Sequence, residues 1–427
     1  MVHVRFPGGA DHEAVEELRR LAHSAGADIC GVILGSRDVP DAATYVGKGK
    51  AEEVRDAFAN ERADLVVVNH SLSPAQERNL EKVVGGRVID RTGLILDIFA
   101  QRARSHEGKL QVELAQLEHL ASRLVRGWTH LERQKGGIGL RGPGETQLEV
   151  DRRLIRDRIK KLNQRLEQVT TQRRSRRRAR HKVPIPTVSM VGYTNAGKSS
   201  LFNHLTGAGV YAADQLFATL DPTMRRLQLP GNTPVILADT VGFISGLPHS
   251  LVEAFKSTLE EVAQADLLLH VVDASNPEKQ QHIAQVDQVL SEIEAESVPQ
   301  ILVYNKTDLT GQAARFERDS SGRVSKVWLS AQTGAGVDLL VEALAEHYRR
   351  LRRALTLQLP AVAGRLRALV YERFDVARDT RLDSGGWLLE LALDSAQLDW
   401  LAHQEGFRPE YLISDSPAIL APTGSLS

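Results

Sequence analysis

Residues 192–199 read GYTNAGKS, a glycine-rich loop with a lysine and a hydroxyl at fixed places. Glycines let main-chain N–H groups close around an anion, and a helix starting at the loop adds its positive end. In a loop of this kind Lys198 stabilises the β- and γ-phosphates of a nucleotide, and the Ser199 hydroxyl binds Mg²⁺. Gly192, Tyr193, Thr194, Asn195, Ala196, Gly197, Lys198, Ser199 and Ser200 are the residues expected at the nucleotide. The apolar run Thr187–Gly192 (TVSMVG) precedes the loop and SLFNHLTG follows it, the strand–loop–helix setting that the pattern requires.

Such a loop does not choose between adenine and guanine. NKTD at Asn305–Asp308 does, following the apolar run Ile301–Tyr304 (ILVY). The Asp308 carboxylate can accept from both N1–H and the exocyclic amine of guanine, a donor pair adenine lacks. A buried site of this kind rejects the wrong ligand by roughly 10⁴-fold or more. Asn305 and Lys306 complete the motif, and SAQTG at Ser330–Gly334 offers Ser330, Ala331 and Gln332 as braces for the base.

Two segments between these motifs have the form of nucleotide-sensing switches. In DTVGF (Asp239–Phe243), Asp239 is expected to hold Mg²⁺ through water and the Gly242 N–H to sense the γ-phosphate, with Thr240 and Val241 between them. FATLDPT (Phe217–Thr223) is the candidate first switch, bringing Phe217, Ala218, Thr219, Leu220 and Asp221 to the nucleotide. Thr219 is the chosen second hydroxyl on Mg²⁺, and Thr223 competes for that role. Phe243 stands where many such enzymes carry a glutamine that orients water. A phenyl ring offers no equivalent hydrogen bond, so isolated turnover should be slow and another group must position the water. Asn195 suggests K⁺ beside the phosphates, with local turn bracing as the alternative.

Positioning these residues takes an α/β scaffold. The strand and helix pattern from Thr187 onward predicts a P-loop domain over 186–353, a mostly parallel sheet flanked by helices. Upstream, residues 1–100 read as an α/β domain. Asp28–Leu34 and Leu65–Asn69 read as buried strands, and His12–Ala25, Lys50–Asn60 and Pro74–Val84 as helices. Residues 355–427 read as a small α/β unit. Between 101 and 182, leucines and isoleucines repeat at heptad spacing on two stretches, predicting a long antiparallel helical hairpin whose first helix runs Gln101–Arg126. Its tip is glycine-rich and carries Arg133, Lys135, Gly136, Gly137 and Arg141. Such a tip could enter an RNA crevice, or be a loop without a partner.

Charge favours the first reading. The chain has 54 Lys+Arg and 54 Asp+Glu, yet the arm from Gln101 to Lys182 holds 22 basic and 9 acidic residues, or +13. Arg173, Arg174, Arg176, Arg177 and Arg178 are its densest cluster. A neutral total therefore hides a basic arm suited to RNA, a charged linker being the alternative.

Other features exclude classes of function. No apolar run approaches the roughly 18 residues that span a bilayer. Cys30 is the only cysteine, which excludes an internal disulfide, and it reads as a core residue of an apolar strand. The 14 histidines show no metal spacing. Gly47-Lys48-Gly49-Lys50 reads as a helix-start turn or as a contact for RNA or a second nucleotide.

Taken together, GYTNAGKSSLFN, LFATLDPT, DTVGFI and NKTDL resemble the HflX family, a branch of the Obg-like translational GTPases. YVGKGKAEEV, DRTGLILDIFAQRA and GGIGLRGPGETQLEVDRR extend the likeness over roughly residues 1–350. The resemblance implies a Mg²⁺-dependent GTPase that binds GTP and GDP, associates with the large ribosomal subunit and its RNA, and splits or rescues stalled ribosomes under stress. It implies that the arm approaches the ribosome's catalytic centre. A cytoplasmic monomer is expected, with room for a peripheral membrane-associated fraction. The competing reading is a GTP-switched RNA-binding or ribosome-assembly factor in which hydrolysis is incidental.

Overall fold

The computed structural model describes residues 1–7, 11–124, 147–180, 185–208, 216–231, 233–244 and 256–417. The tip residues Arg133, Lys135, Gly136, Gly137 and Arg141 lie outside these. Of Arg173, Arg174, Arg176, Arg177 and Arg178 only the backbone is described.

The chain begins with β1 (Val2–Arg5), α1 (Asp11–Ser24), β2 (Ile33–Ser36), α2 (Lys48–Asn60), β3 (Leu65–Val68), α3 (Pro74–Val84) and β4 (Arg87–Asp90). These strands form a parallel sheet in the order β2-β1-β3-β4. Parallel pairing needs crossover helices, and α3 shows how such a helix is bounded locally. Ser73 and Gln76 form a reciprocal capping box at its start, and Gly85 ends it in the left-handed conformation.

Two sequence expectations change here. The second strand begins at Ile33 and not at Asp28, because the ladder starts where Ile33 pairs with Val2. Residues ahead of it form a connection in which the terminal amine of Met1 donates to Gly31 O at 2.8 Å. Cys30 therefore lies exposed and is no core residue.

The predicted first arm helix is in fact two. Helix α4 (Arg91–Arg102) packs into the N-terminal unit, buried at Leu94, Ile95, Leu96, Ile98 and Phe99. The backbone turns extended at Ala103, and α5 (His106–Leu124) starts afresh after Ser105, whose hydroxyl accepts from Gly108 N at 2.8 Å. The long partner α6 (Gln147–Arg180) packs on α5 through Leu110, Leu114 and Leu162, with Leu117, Ile159 and Leu166 half-buried beside them. At 1.5 Å per residue α5 is about 28 Å long and α6 about 50 Å, so α6 extends past its partner.

Next come β5 (Thr187–Val191), α7 (Lys198–Thr206), β6 (Thr223–Leu229), β7 (Thr233–Asp239), α8 (Lys256–Ala263), β8 (Leu267–Asp273), α9 (Lys279–Glu292), β9 (Gln300–Asn305), α10 (Thr307–Thr310), β10 (Arg315–Arg318), β11 (Val324–Trp328) and α11 (Val337–Leu351). The seven strands order as β10-β11-β9-β8-β5-β7-β6, parallel except at the two edge pairs. The central strands are largely apolar, as strands covered on both faces must be.

One buried cluster joins the two units. Leu18, Leu21, Ile95, Phe99 and Val112 from upstream share it with Leu216, Phe217, Leu220, Val241 and Phe243 downstream. The C-terminal unit has its own core. It runs β12 (Arg353–Leu359), α12 (Gly364–Arg373), β13 (Val376–Arg381), β14 (Trp387–Leu393), α13 (Ser395–Ala402) and β15 (Leu412–Pro417), as an antiparallel sheet ordered β13-β14-β12-β15. This βαββαβ order is the split-βαβ motif. Among the described residues no helix is long and apolar enough to cross a membrane.

Candidate active site

Strand β5, buried from Val188 to Val191, delivers the chain to Gly192, whose φ is +143°. A Cβ there would collide with the Val271 carbonyl, so only glycine fits. Asn195 follows in the left-handed region at φ +60°. Gly197 precedes α7 without a side-chain cap, which leaves the helix's first N–H groups available to an anion.

Lys198 folds back over this loop. Its Nζ donates to Gly192 O at 3.0 Å and Tyr193 O at 2.8 Å. Burial pulls its pKa down to about 8, against the upward pull of Asp239. Gly242 lies against it, since a Cβ on Gly242 would stand 2.9 Å from Nζ.

Three oxygen-bearing side chains converge beside the lysine. Ser199 Oγ donates to Asp239 Oδ2 at 2.7 Å, Thr219 Oγ1 donates to the same oxygen at 2.9 Å, and the two hydroxyls are 2.9 Å apart. Asp239 is fully buried, burial pushes its carboxyl up, and its Oδ1 has no hydrogen-bond partner among the described residues. A hard oxygen set around a buried, under-satisfied carboxylate fits a small divalent cation. Thr223, the competing hydroxyl, instead opens β6 as the ladder partner of Asp239.

Phe243 is pinned by its backbone: its N–H donates to Gly192 O at 3.1 Å and its carbonyl accepts from Thr194 N at 2.7 Å. Its ring is 2% exposed and sits in the shared core. It braces the phosphate loop and does not face the cleft. Thr240 is tied down too, its hydroxyl donating to Met190 O at 2.5 Å, and Val241 is buried.

The base-side loops are held by Asn305, itself 2% exposed. Its Nδ2 donates to Ala196 O and its Oδ1 accepts from Ala331 N, both at 2.9 Å. Lys306, at φ +63°, pairs with Asp273 at 2.8 Å. Ser330 Oγ accepts from Thr333 N at 3.2 Å and closes the bracing turn. Asp308 and Gln332 are exposed. Apart from Thr219, which lies ahead of β6, these residues come from the carboxyl ends of β5, β7, β8, β9 and β11, where open α/β sheets bind ligands.

The first switch departs from expectation at Leu220 and Asp221, while Phe217, Ala218 and Thr219 line the cleft. Phe217 and Leu220 turn into the core, Phe217 meeting Phe99 edge to face with centroids 4.6 Å apart. Asp221 faces away from the nucleotide loops. Its carboxylate accepts from Arg104 N and Ser105 N at 2.8 and 2.7 Å.

Sequence reasoning missed two contacts of Tyr193. Its hydroxyl donates to Glu17 Oε1 at 2.5 Å, and its ring stacks on His282 with centroids 3.7 Å apart. Neither partner carries a local motif.

A glycine-cradled anion loop, an oxygen triad for a cation and an NKTD base site on a parallel sheet define a P-loop GTPase, an enzyme that hydrolyses GTP. Comparisons with known proteins agree. Residues 187–306 match the family described as 50S ribosome-binding GTPase, residues 12–100 that described as GTP-binding GTPase N-terminal, and residues 102–180 its middle region. The GTPase HflX of Escherichia coli is 54% identical over 414 residues, 97% of each chain. That of Magnetococcus marinus is 51% identical over 352 residues, 82% of this chain and 81% of the relative. The chain belongs to the HflX family of GTPases. A GTP-binding protein from Sulfolobus solfataricus, solved in complex with GDP, is 24% identical with a TM-score of 0.42, covering 81% of this chain and 98% of that one.

Proposed function

We propose that this GTPase is a cytoplasmic factor that binds the large ribosomal subunit and splits or rescues stalled ribosomes under stress. The observation that carries the reading is the pairing of one nucleotide site with one basic arm. The arm holds 22 basic and 9 acidic residues, and its first helix starts at the switch that carries Thr219. Basic residues of α6 and the tip, Arg133, Lys135 and Arg141 among them, would meet RNA phosphates. A match of residues 187–306 to ribosome-binding GTPases supports the partner.

In the site, Ser199 and Thr219 would hold Mg²⁺ directly and Asp239 through water. Mg²⁺ when bound supplies neutralisation of charge on the β- and γ-phosphate oxygens. Lys198 adds a fixed cation to the same oxygens, and the Gly242 N–H donates to the γ-phosphate. Asn305 holds the base loops against the phosphate loop, while Asp308 reads guanine. Asn195, at φ +60°, would offer its amide oxygen to K⁺, local turn bracing being the alternative. Equal hydrolysis rates in KCl and NaCl would remove K⁺ from this account.

Sedimentation with large subunits in GTP, GDP and a non-hydrolysable analogue tests the whole. Binding that favours the triphosphate supports it, and no binding in any state overturns the ribosomal partner. A second reading, a GTP-switched binding factor with incidental hydrolysis, is favoured by one observation. Phe243 is packed in the core, so the chain supplies no water-orienting glutamine at that place. Failure of ribosomal particles to raise hydrolysis, combined with GTP-dependent binding, would favour this second reading.

A further inference from the structure

The segment from Leu216 to Thr223 spans from the cation-binding oxygens to the root of the helical arm. On its upstream side Leu216 N donates to Ser24 Oγ at 2.9 Å, and Phe217 packs on Phe99. In the middle Thr219 reaches Asp239 at 2.9 Å. Two residues later Asp221 turns the other way and is gripped by the arm.

The grip is specific. Asp221 Oδ2 accepts from Arg104 N at 2.8 Å and Ser105 N at 2.7 Å, and Oδ1 accepts from the Ser105 hydroxyl at 2.5 Å. Ser105 in turn caps α5 through Gly108 N at 2.8 Å. A carboxylate at a helix start meets unpaired N–H groups and the positive end of the dipole. Several charge-assisted bonds on one anion are the strong kind. The seat also needs a bare neighbour: a Cβ on Gly108 would overlap Asp221 Oδ1 and crowd Ser105 Oγ at 3.0 Å.

We propose that Asp221 is a positioning residue for GTP hydrolysis: seated on Arg104 and Ser105, the residues that lead into α5, it sets Thr219 at the cation, so that the arm's root controls turnover. Two residues of chain span at most about 7 Å, so slack at Asp221 has only Leu220 between it and Thr219. A misplacement of about 1 Å at a reacting site can cost about 10²-fold in rate. Leu216, Phe217 and Leu220 still anchor the segment in the core, so releasing Asp221 alone has a smaller effect. The coupling runs both ways, since a movement of α5 at Ser105 pulls on the same carboxylate. This inference rests on reading Thr219 as a metal ligand.

The test is single-turnover GTP hydrolysis by the full chain, with Mg²⁺ titrated, for Asp221→Ala, Gly108→Ala, their double variant, Asp221→Asn and Thr219→Ala. Gly108→Ala lies outside the nucleotide cleft and introduces a better helix former, so thermal melts should show an intact fold. Asp221→Ala and Gly108→Ala should each lower the rate about tenfold and raise the Mg²⁺ needed for half-maximal rate. GDP affinity should stay within about twofold, because only the triphosphate state needs Thr219. The double variant should be no slower than either single one, since both break one and the same grip. Asp221→Asn keeps an oxygen for the two main-chain donors and should recover most of the rate. Normal rates in Asp221→Ala and Gly108→Ala beside an inactive Thr219→Ala, or additive losses in the double variant, overturn the inference alone. An active Thr219→Ala would overturn it together with the metal-ligand reading.

Discussion

The Tyr193 hydroxyl donates to Glu17 Oε1 at 2.5 Å, tying the second residue of the phosphate loop to a helix 176 positions upstream. Glu17 also accepts from Arg91 Nη2 at 2.8 Å. Tyr193→Phe keeps the stack on His282 and removes one hydrogen bond from a buried carboxylate. Stability should fall by about 1–2 kcal/mol, read as a lower urea midpoint. An unchanged midpoint would show that the bond contributes nothing to the docking of the two units.

Lys198 makes a pH prediction whose sign follows from its burial. Its folded pKa of about 8 lies below the ordinary 10.5. The cost of burying the charge is present below pH 8 and is relieved as pH climbs towards 10.5, so the nucleotide-free protein gains stability across that window. Phosphate needs the ammonium, so nucleotide affinity moves the opposite way, weakening about fourfold between pH 7 and pH 8.5. Binding of a fluorescent GDP analogue measures this. Lys198→Arg stays charged and should flatten the profile; a wild-type curve as flat as the arginine variant's contradicts the account.

Phe243→Gln should not create a faster enzyme, although glutamine occupies that place in many GTPases. The ring lies in the shared core with Phe217 and Val241. An amide there loses apolar burial and lacks hydrogen-bond partners, at a cost of about 2–4 kcal/mol. A lower melting temperature without a gain in rate is expected. A faster enzyme of unchanged stability would mean that the side chain faces the nucleotide after all.

Asn305→Ala releases two loops at once, at Ala196 and Ala331. With a buried carbonyl and a buried N–H left unpaired, GTP affinity should drop by about tenfold or more, with faster GDP release in stopped-flow traces. Unchanged release would show that the loops keep their places without the tie.

What can be read from sequence depends on how local the chemistry is. Gly192, Gly197, Lys198 and Ser199 announce themselves because a phosphate cradle is built from consecutive residues. Helix α3 is legible in full, since Ser73, Pro74 and Gly85 punctuate it. The motif around Asp221 points to the nucleotide, whereas its partners, Arg104 and Ser105, lie 117 and 116 positions away. The break before α5 goes unseen because the heptad pattern begins only at Leu110 and says nothing of main-chain direction at Ala103. An apolar run suggests a strand through Cys30, yet pairing begins only at Ile33. Strand β13 (VARDTR) gives little signal, since it is a largely exposed edge without apolar alternation.

The arm makes an ionic prediction. Replacing Arg173, Arg174, Arg176, Arg177 and Arg178 by glutamine should weaken binding to ribosomal RNA. The slope of log K against log salt should shrink by about 1 for each phosphate no longer neutralised. Filter binding over a salt series measures it. An unchanged slope would assign these arginines to solvent.

The cluster that joins Leu18, Ile95 and Phe99 to Leu216, Phe217 and Phe243 bears on how this protein can be cut and recombined. A gene fragment encoding the nucleotide domain alone would present that cluster's severed half to water, as would a fragment encoding only the upstream unit. Each invites aggregation. The C-terminal sheet keeps its interior to itself and follows α11 after the single residue Arg352. It can be lost, exchanged or fused without opening another interior. Among the described residues the cleanest modular boundary thus falls at Arg352, since the units before it share an interior.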